Sequence, residues 1–413
     1  MKESSSFRIL LFLVFFTSAL FSILSPMAVD IEKAISDINQ AQVLQIVSIF
    51  LAVGAFSSLI WASLVGRLSR KKLLIIATLI WSLAELVSAF ATSFLSLLIP
   101  QIIAAVGFGA VMPITYSLIV DLFQAEERGK AFGLKEMFYV LGIGFAFILA
   151  GFLVGLFPWY VPVFVVAIGG FISVGFLFML EEPKKIELTS SDESREWINV
   201  RDLKEVFTVR SNVWILISYF AVFIGYGAVS PSFTTFLRND YKFAPSIATI
   251  FLIVSFIGQI PSGIIFGKLG DKLYEENKNG RIKVALLCLI GGSIFNIIAF
   301  SLILTTTNLP LIILFVILTL LGATFFGGFD PLIQASLGEI NKPRFRSTAY
   351  AFVNLILIFG RSISLFLLSL LLVSFSNFYR PGLIILSVVA LICSVLLLPL
   401  LKTIPEDLKE SEF

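Results

Sequence analysis

The sequence predicts an all-α integral membrane protein of twelve transmembrane helices in two pseudo-symmetric six-helix bundles. Three observations carry this: the composition, the apolar runs, and a repeat that lays one half of the chain over the other. Of 413 residues, 58% are hydrophobic and 14% charged, with a mean hydropathy of +0.99. A soluble chain is about 25% charged, so the excess apolar surface faces lipid. The 43 Phe suit bilayer and helix-packing surfaces.

A spanning helix needs about 20 mostly apolar residues. Twelve such runs lie near 8–28, 43–65, 73–93, 95–119, 132–156, 158–180, 212–236, 246–267, 284–305, 310–336, 349–374 and 380–401. The first has a basic start but no small-residue cleavage site, and reads as a retained helix. Turns such as "TSF" at 92–94 and "FPW" at 157–159 force antiparallel neighbours. With both termini inside, inner segments carry 25 Lys and Arg and outer segments 4, namely Lys33, Arg238, Lys242 and Arg380. That bias sets the orientation, with both termini cytoplasmic and the plasma membrane as the expected location. It leaves Arg361, in "LIFGRSISLF", as the one cation expected at membrane depth.

The bundles are expected at 1–180 and 212–401, with a linker at 181–211 and a cytoplasmic tail at 402–413. In the linker, Ile198, Val200, Leu203, Val206 and Phe207 fall at mixed three- and four-residue spacings. They read as a short amphipathic helix on the inner membrane surface, or as a solvated tether.

The halves align. "SP" at 25–26 matches "SP" at 230–231, and Leu64 and Arg67 match Leu269 and Lys272 at the same offset of 205. "FGAVMPITYSLIVDLFQAEERGKA" (108–131) matches "FGGFDPLIQASLGEINKPRFRSTA" (326–349) at an offset of 218, pairing Pro113 with Pro331, Asp121 with Glu339 and Arg128 with Arg346. Parallel six-span halves of this kind are a transporter architecture, with the substrate between the halves near the midplane.

Three motifs now resemble the major facilitator superfamily over essentially the whole chain. They are "ASLVGRLSRKKLL" (62–74) with its repeat "GKLGDK" (267–272), "AEERGKAFG" (125–133), and the glycine-rich fifth span with Gly142, Gly144, Gly151 and Gly155. The stretch "VGFGA…P…SLIVDLF…RGKA" also resembles the spinster-type branch, which carries lysolipids and sphingoid phosphates. The chain departs from these patterns. Gly66 replaces the first-half Asp, Ala62 the leading Gly, and Ile103 a frequent Arg. Ala110 stands at that branch's Glu, and Thr17 and Ser18 near its Asp-Arg pair. The resemblance implies that helices 1, 4, 7 and 10 line a cavity, that 2, 5, 8 and 11 flank it, and that 3, 6, 9 and 12 lie outside.

Ionisable residues inside a span are functional candidates. Asp330 on helix ten and Arg361 on helix eleven are expected to pair, as a switch that substrate or a proton rearranges or as a fixed packing contact. Glu136 reads as a cytoplasmic gate residue or an interfacial carboxylate, with Asn354 its repeat counterpart. Tyr116 and Tyr226 are polar candidates on the lining helices. Glu85 reads as a local hydrogen-bonding group. The expected cytoplasmic gate joins Asp121 and Glu339 to Arg128, Arg346 and the basic loop residues Arg67 and Arg70. Asp271 is expected at the positive N-terminus of the eleventh helix.

Zero His removes the usual general base and metal ligand. Cys288 and Cys393 lie apart in apolar runs, and no G-x-x-x-x-G-K loop is present. No enzyme, cofactor, metal site or nucleic-acid partner is expected. The reading is a monomeric secondary transporter of an amphipathic or anionic small molecule, such as a lysolipid, among membrane lipids and coupled to protons or to nothing. The alternatives are a proton-coupled multidrug or organic-solute exporter, and a non-transporting sensor or scaffold.

Overall fold

The computed structural model describes residues 2–65, 68–123, 125–182, 205–305, 307–342 and 345–411, and leaves aside the side chains at 2–4, 120, 125–130, 346–347 and 410–411. It divides into two compact units, Met1–Trp197 and Ile198–Phe413. Among the described residues both are built of helices joined by turns and short irregular segments.

The first unit holds spans one to six: Lys2–Ser22 with Ala28–Ala34, Gln40–Val65, Arg70–Ser88, Phe94–Leu122, Ala125–Leu153 and Tyr160–Phe178. The second holds Arg210–Tyr226 with Val229–Asp240, Pro245–Phe256 with Gln259–Glu276, Gly280–Ser301, Leu309–Ile340, Arg346–Ser374, and Tyr379–Cys393 with Leu400–Ser411. Eleven of these stretches are long and apolar enough to cross a membrane. The twelfth, Arg70–Ser88, starts with three basic residues and buries Glu85. Large apolar side chains such as Phe90, Leu156 and Ile260 stand on the outside of the units. That is the distribution a lipid solvent favours.

Helix packing repeats. In the first unit, span one packs on five and six, span four on two and three, and span three on six. In the second, span seven packs on eleven and twelve, span ten on eight and nine, and span nine on twelve. Every pair recurs six spans later. Pro113 and Pro331, matched in the sequence, both sit inside their helices, in spans four and ten.

Close approach decides where glycine is needed. A Cβ on Gly142 would run into the backbone of Phe15 and the hydroxyl of Ser18, so spans five and one meet there. Gly144 has nothing nearby, and neither does Gly267 in span eight. Close backbone approach is therefore seen at Gly142 and not at those two.

Two boundaries differ from the sequence reading. Residues 183–204 lie outside the described set, and with them most of the expected amphipathic segment. Its last part, residues 205–208, forms a helical turn with Val206 buried, and Val206 O accepts from Asn212 Nδ2 at 2.8 Å. The expected tail is also a helix. Asp407 accepts from Ser211 N at 2.8 Å, so Leu400–Ser411 docks on the start of span seven.

Candidate functional site

Each unit builds an ion-pair hub at the start of one helix. In the first, Glu182 lies just past span six and accepts from Ser69 Oγ (2.6 Å), Arg70 N (2.9 Å) and Arg70 Nε (3.2 Å). Its carboxylate thus faces the N-terminus of span three, where backbone amides lack helical acceptors. Burial alone pushes the Glu182 carboxyl up, but these bonds outweigh it and hold it below its ordinary value. The same Arg70 guanidinium reaches Ser117 Oγ (3.1 Å) and pairs with Asp121 at the end of span four. Arg70 is 3% exposed.

In the second unit, Arg281 plays this part at the start of span nine. Its Nε donates to Asp271 Oδ1 at 2.7 Å, and its Nη1 lies 2.6 Å from Glu339 Oε1 at the end of span ten. The ring of Tyr274 packs 4.2 Å from its guanidinium carbon.

Sequence reasoning reached Arg70, Asp121, Asp271 and Glu339. Asp121 meets Arg70, one of its expected loop partners, and Glu339 and Asp271 meet Arg281, which was not among those named. Arg67 lies outside the described residues, and so do the side chains of Arg128 and Arg346. Glu182 and Arg281 were missed. The available signal was topological: each hub cation begins a helix beside an acidic end.

Deeper in the second unit, spans seven and ten pack an aromatic wall. Tyr226 stacks on Phe326 with centroids 3.3 Å apart, and Tyr219 packs on Phe329 at 5.3 Å. Asp330 receives Tyr219 Oη at 2.7 Å and Gln334 Nε2 at 2.6 Å. It does not pair with Arg361. The guanidinium of Arg361 lies over the face of Phe223, 5.4 Å from the centroid, with no ion pair among the described residues. From the observed helix ends, Asp330 is roughly 15 Å in and Arg361 roughly 22 Å in.

Arg361 reaches that place because span seven breaks. A Cβ on Gly227 would come within 2.7 Å of Arg361 Cα, so only glycine admits span eleven there. The break frees the amide of Ala228, and Ser364 Oγ takes it at 2.9 Å. A freed amide at membrane depth needs such a partner.

The first unit also buries a cation, Lys135, near the start of its fifth apolar span. Helix five starts at Ala125 rather than near 132, because "AEERGK" contains no proline and puts two acids in the first turn, which together tolerate Gly129. Lys135 therefore sits almost three turns inside and is 3% exposed. It donates to Tyr116 Oη at 3.1 Å and pairs with Glu136 Oε2 at 2.5 Å. Glu136 itself is exposed, as is Asn354 on span eleven. Glu85 lies fully buried and receives Gln101 Nε2 at 2.7 Å, which is a local contact between spans three and four.

The sequence matches the family model of the Major Facilitator Superfamily twice, over residues 10–218 and 215–413. The "Putative niacin/nicotinamide transporter NiaP" of Bacillus subtilis (strain 168) is 28% identical over 199 residues, 48% of this chain and 49% of that one. "Multidrug resistance protein 2" of the same organism is 29% identical over 256 residues, 59% of this chain and 61% of that one. The matches thus span half to three-fifths of these relatives. Among solved structures, a bacterial homologue of the human lysosomal transporter Spinster, inward-facing and unoccupied, superposes with a TM-score of 0.80 at 18% identity, covering 98% of both chains. A D-xylose–proton symporter gives 0.74 at 16% identity over 96% of this chain and 98% of that one. These last two likenesses concern the fold. Two family matches that together cover nearly the whole chain, on two bundles with one packing pattern, have one reading: the chain belongs to the Major Facilitator Superfamily.

Proposed function

We propose that the chain is a secondary transporter that moves an amphipathic or anionic small molecule, lysolipids included, by alternating access, with Arg361 receiving the negative group. The observation that carries this is the deep guanidinium lying on an aromatic ring with no carboxylate partner among the described residues. A charge at membrane depth is expensive unless something receives it. An incoming anion supplies that partner, and the wall of Phe223, Tyr226 and Phe326 supplies apolar area beside it.

The excess of Lys and Arg on one side supports a reading with both hubs at cytoplasmic ends, both termini inside, in a plasma membrane. There the hubs hold that side shut and rearrange when it opens. Asp121, Arg70, Asp271 and Glu339 act here through the observed pairs, and Arg67, Arg128 and Arg346 are basic groups of the same face. Protonation of Asp330, or of Glu136 beside Lys135, is the coupling step, unless the protein is a uniporter. Tyr116, Tyr226 and Asn354 are the further polar contacts. The protein works as a monomer, and no catalytic step or nucleic-acid partner is assigned. The match to a multidrug resistance protein favours one second reading, proton-coupled export of organic solutes.

The test is uptake into proteoliposomes across lysolipids, organic anions and amphiphilic drugs. Arg361→Ala abolishes uptake of the carried solute while the purified protein keeps its helical circular dichroism. Retained transport in that folded variant overturns the assignment.

A further inference from the structure

Lys135 has surroundings that suit a ligand. Its ammonium carries three donors. One goes to Tyr116 Oη and one to Glu136. The ammonium also lies 4.8 Å from the centroid of Tyr116 and 5.7 Å from that of Tyr139, both within cation–π range. Tyr139 is held in turn by stacking on Phe21 of span one, at 5.9 Å and 21°. Tyr116 leans on Phe132 at 5.6 Å. The cation is thus fixed among rings from spans one, four and five.

Its counter-ion is a different kind of group. The Lys135 side chain is 4% exposed, whereas that of Glu136 is 58% exposed. The two are chain neighbours, so their side chains leave the helix about 100° apart and Glu136 must fold back along the surface to reach the ammonium. An ion pair with an exposed member adds little net stability. The rings are built in. The carboxylate is the replaceable part, and it covers the ammonium from the open side.

We propose that Lys135, Tyr116 and Tyr139 form a binding site for an aromatic monocarboxylate, whose carboxylate takes the place of Glu136 on the ammonium and whose ring packs against Tyr139 and Phe21. A planar acid matches the site on both counts. Its charge replaces a charge already held there, and its ring meets two rings already stacked. Lys135 lies roughly 6 Å inside the apolar part of span five, which begins at Ala131, and so near its charged end. The site deepens the transporter reading, since it gives the first unit its own anion receptor and names a substrate class.

The experiment is a thermal-shift titration of the purified full-length protein with benzoate, cyclohexanecarboxylate and benzamide, since a ligand that binds the folded state raises its midpoint. Benzoate raises the midpoint, benzamide does not, and cyclohexanecarboxylate needs several-fold more ligand to reach the same shift. Glu136→Gln removes the competing carboxylate and lowers the half-saturating benzoate concentration about tenfold. Lys135→Met abolishes the shift. Lys135→Arg retains part of it and serves where the Met variant fails to fold. Benzamide acting as well as benzoate, or Glu136→Gln weakening benzoate or leaving it unchanged, overturns the site. Benzoate uptake into liposomes is read separately, so that binding without carriage overturns the transporter reading and leaves the site standing.

Discussion

The two ion-pair hubs do one job with different parts. Arg70 and Arg281 each begin the third helix of their bundle, and each reaches a carboxylate at the end of the fourth, Asp121 or Glu339. They differ in the second carboxylate. Arg281 takes Asp271, the acid of its own motif loop. The matching position in the first unit is Gly66, and there the second carboxylate comes from Glu182, beyond span six. What the repeat preserved is the charge arrangement around a cation, and a different stretch of chain now delivers one of its members. The first hub is also the drier one, with its Arg side chain 4% exposed against 13%.

The largest expected effect tests that difference. Arg70→Met strands two partly buried carboxylates and a hydroxyl, and lowers stability by about 3–5 kcal/mol. Arg281→Met costs about 1–2 kcal/mol, because Asp271 and Glu339 stay solvated. Midpoints of denaturant unfolding in detergent compare the two, and equal losses break the contrast. Next comes glycine. Gly227→Ala forces span seven off Arg361 and costs about 1–3 kcal/mol, with a fall in uptake. Gly144→Ala in the first unit meets open space and is neutral, or stabilising by up to about 1 kcal/mol. Uptake and midpoint measured on both variants decide this.

A smaller effect is acid sensitivity. Glu182 is held below its ordinary 4.5 in the folded state, so it contributes stability that is present above that value and lost as pH falls through its folded value. Wild type therefore loses more stability than Glu182→Gln between neutral pH and about pH 3. Parallel curves would remove Glu182 from the first hub. The smallest effect is Tyr219→Phe, which takes one hydrogen bond from Asp330 and costs about 1 kcal/mol. A loss much above that would mean that Asp330 depends on Tyr219 more than on Gln334.

The architecture was legible because lipid is an unambiguous solvent. It demands apolar runs of set length, and cations collect on one side of them. The matched prolines located spans four and ten within their bundles before any helix was seen. Partners were less legible. Asp121 and Arg70 are 51 residues apart, and nothing in either neighbourhood chooses Arg70 over Arg128. The burial of Lys135 was hidden, because a lysine four residues into an apolar run reads as one more interfacial lysine. Asp330 and Arg361 were joined because opposite charges in hydrocarbon attract attention. A phenol and an amide are among the partners of the acid, and the guanidinium lies over a ring face instead.

The break in span seven has a mechanical consequence. Ser364, which closes the open amide of Ala228, lies three residues after Arg361, and so on the same face of span eleven. The clasp that lets one helix bend is carried by the turn that holds out the guanidinium. Any change of angle at Gly227 therefore pulls on Ser364 and turns Arg361 with it, which makes the joint and the deep guanidinium a single moving part.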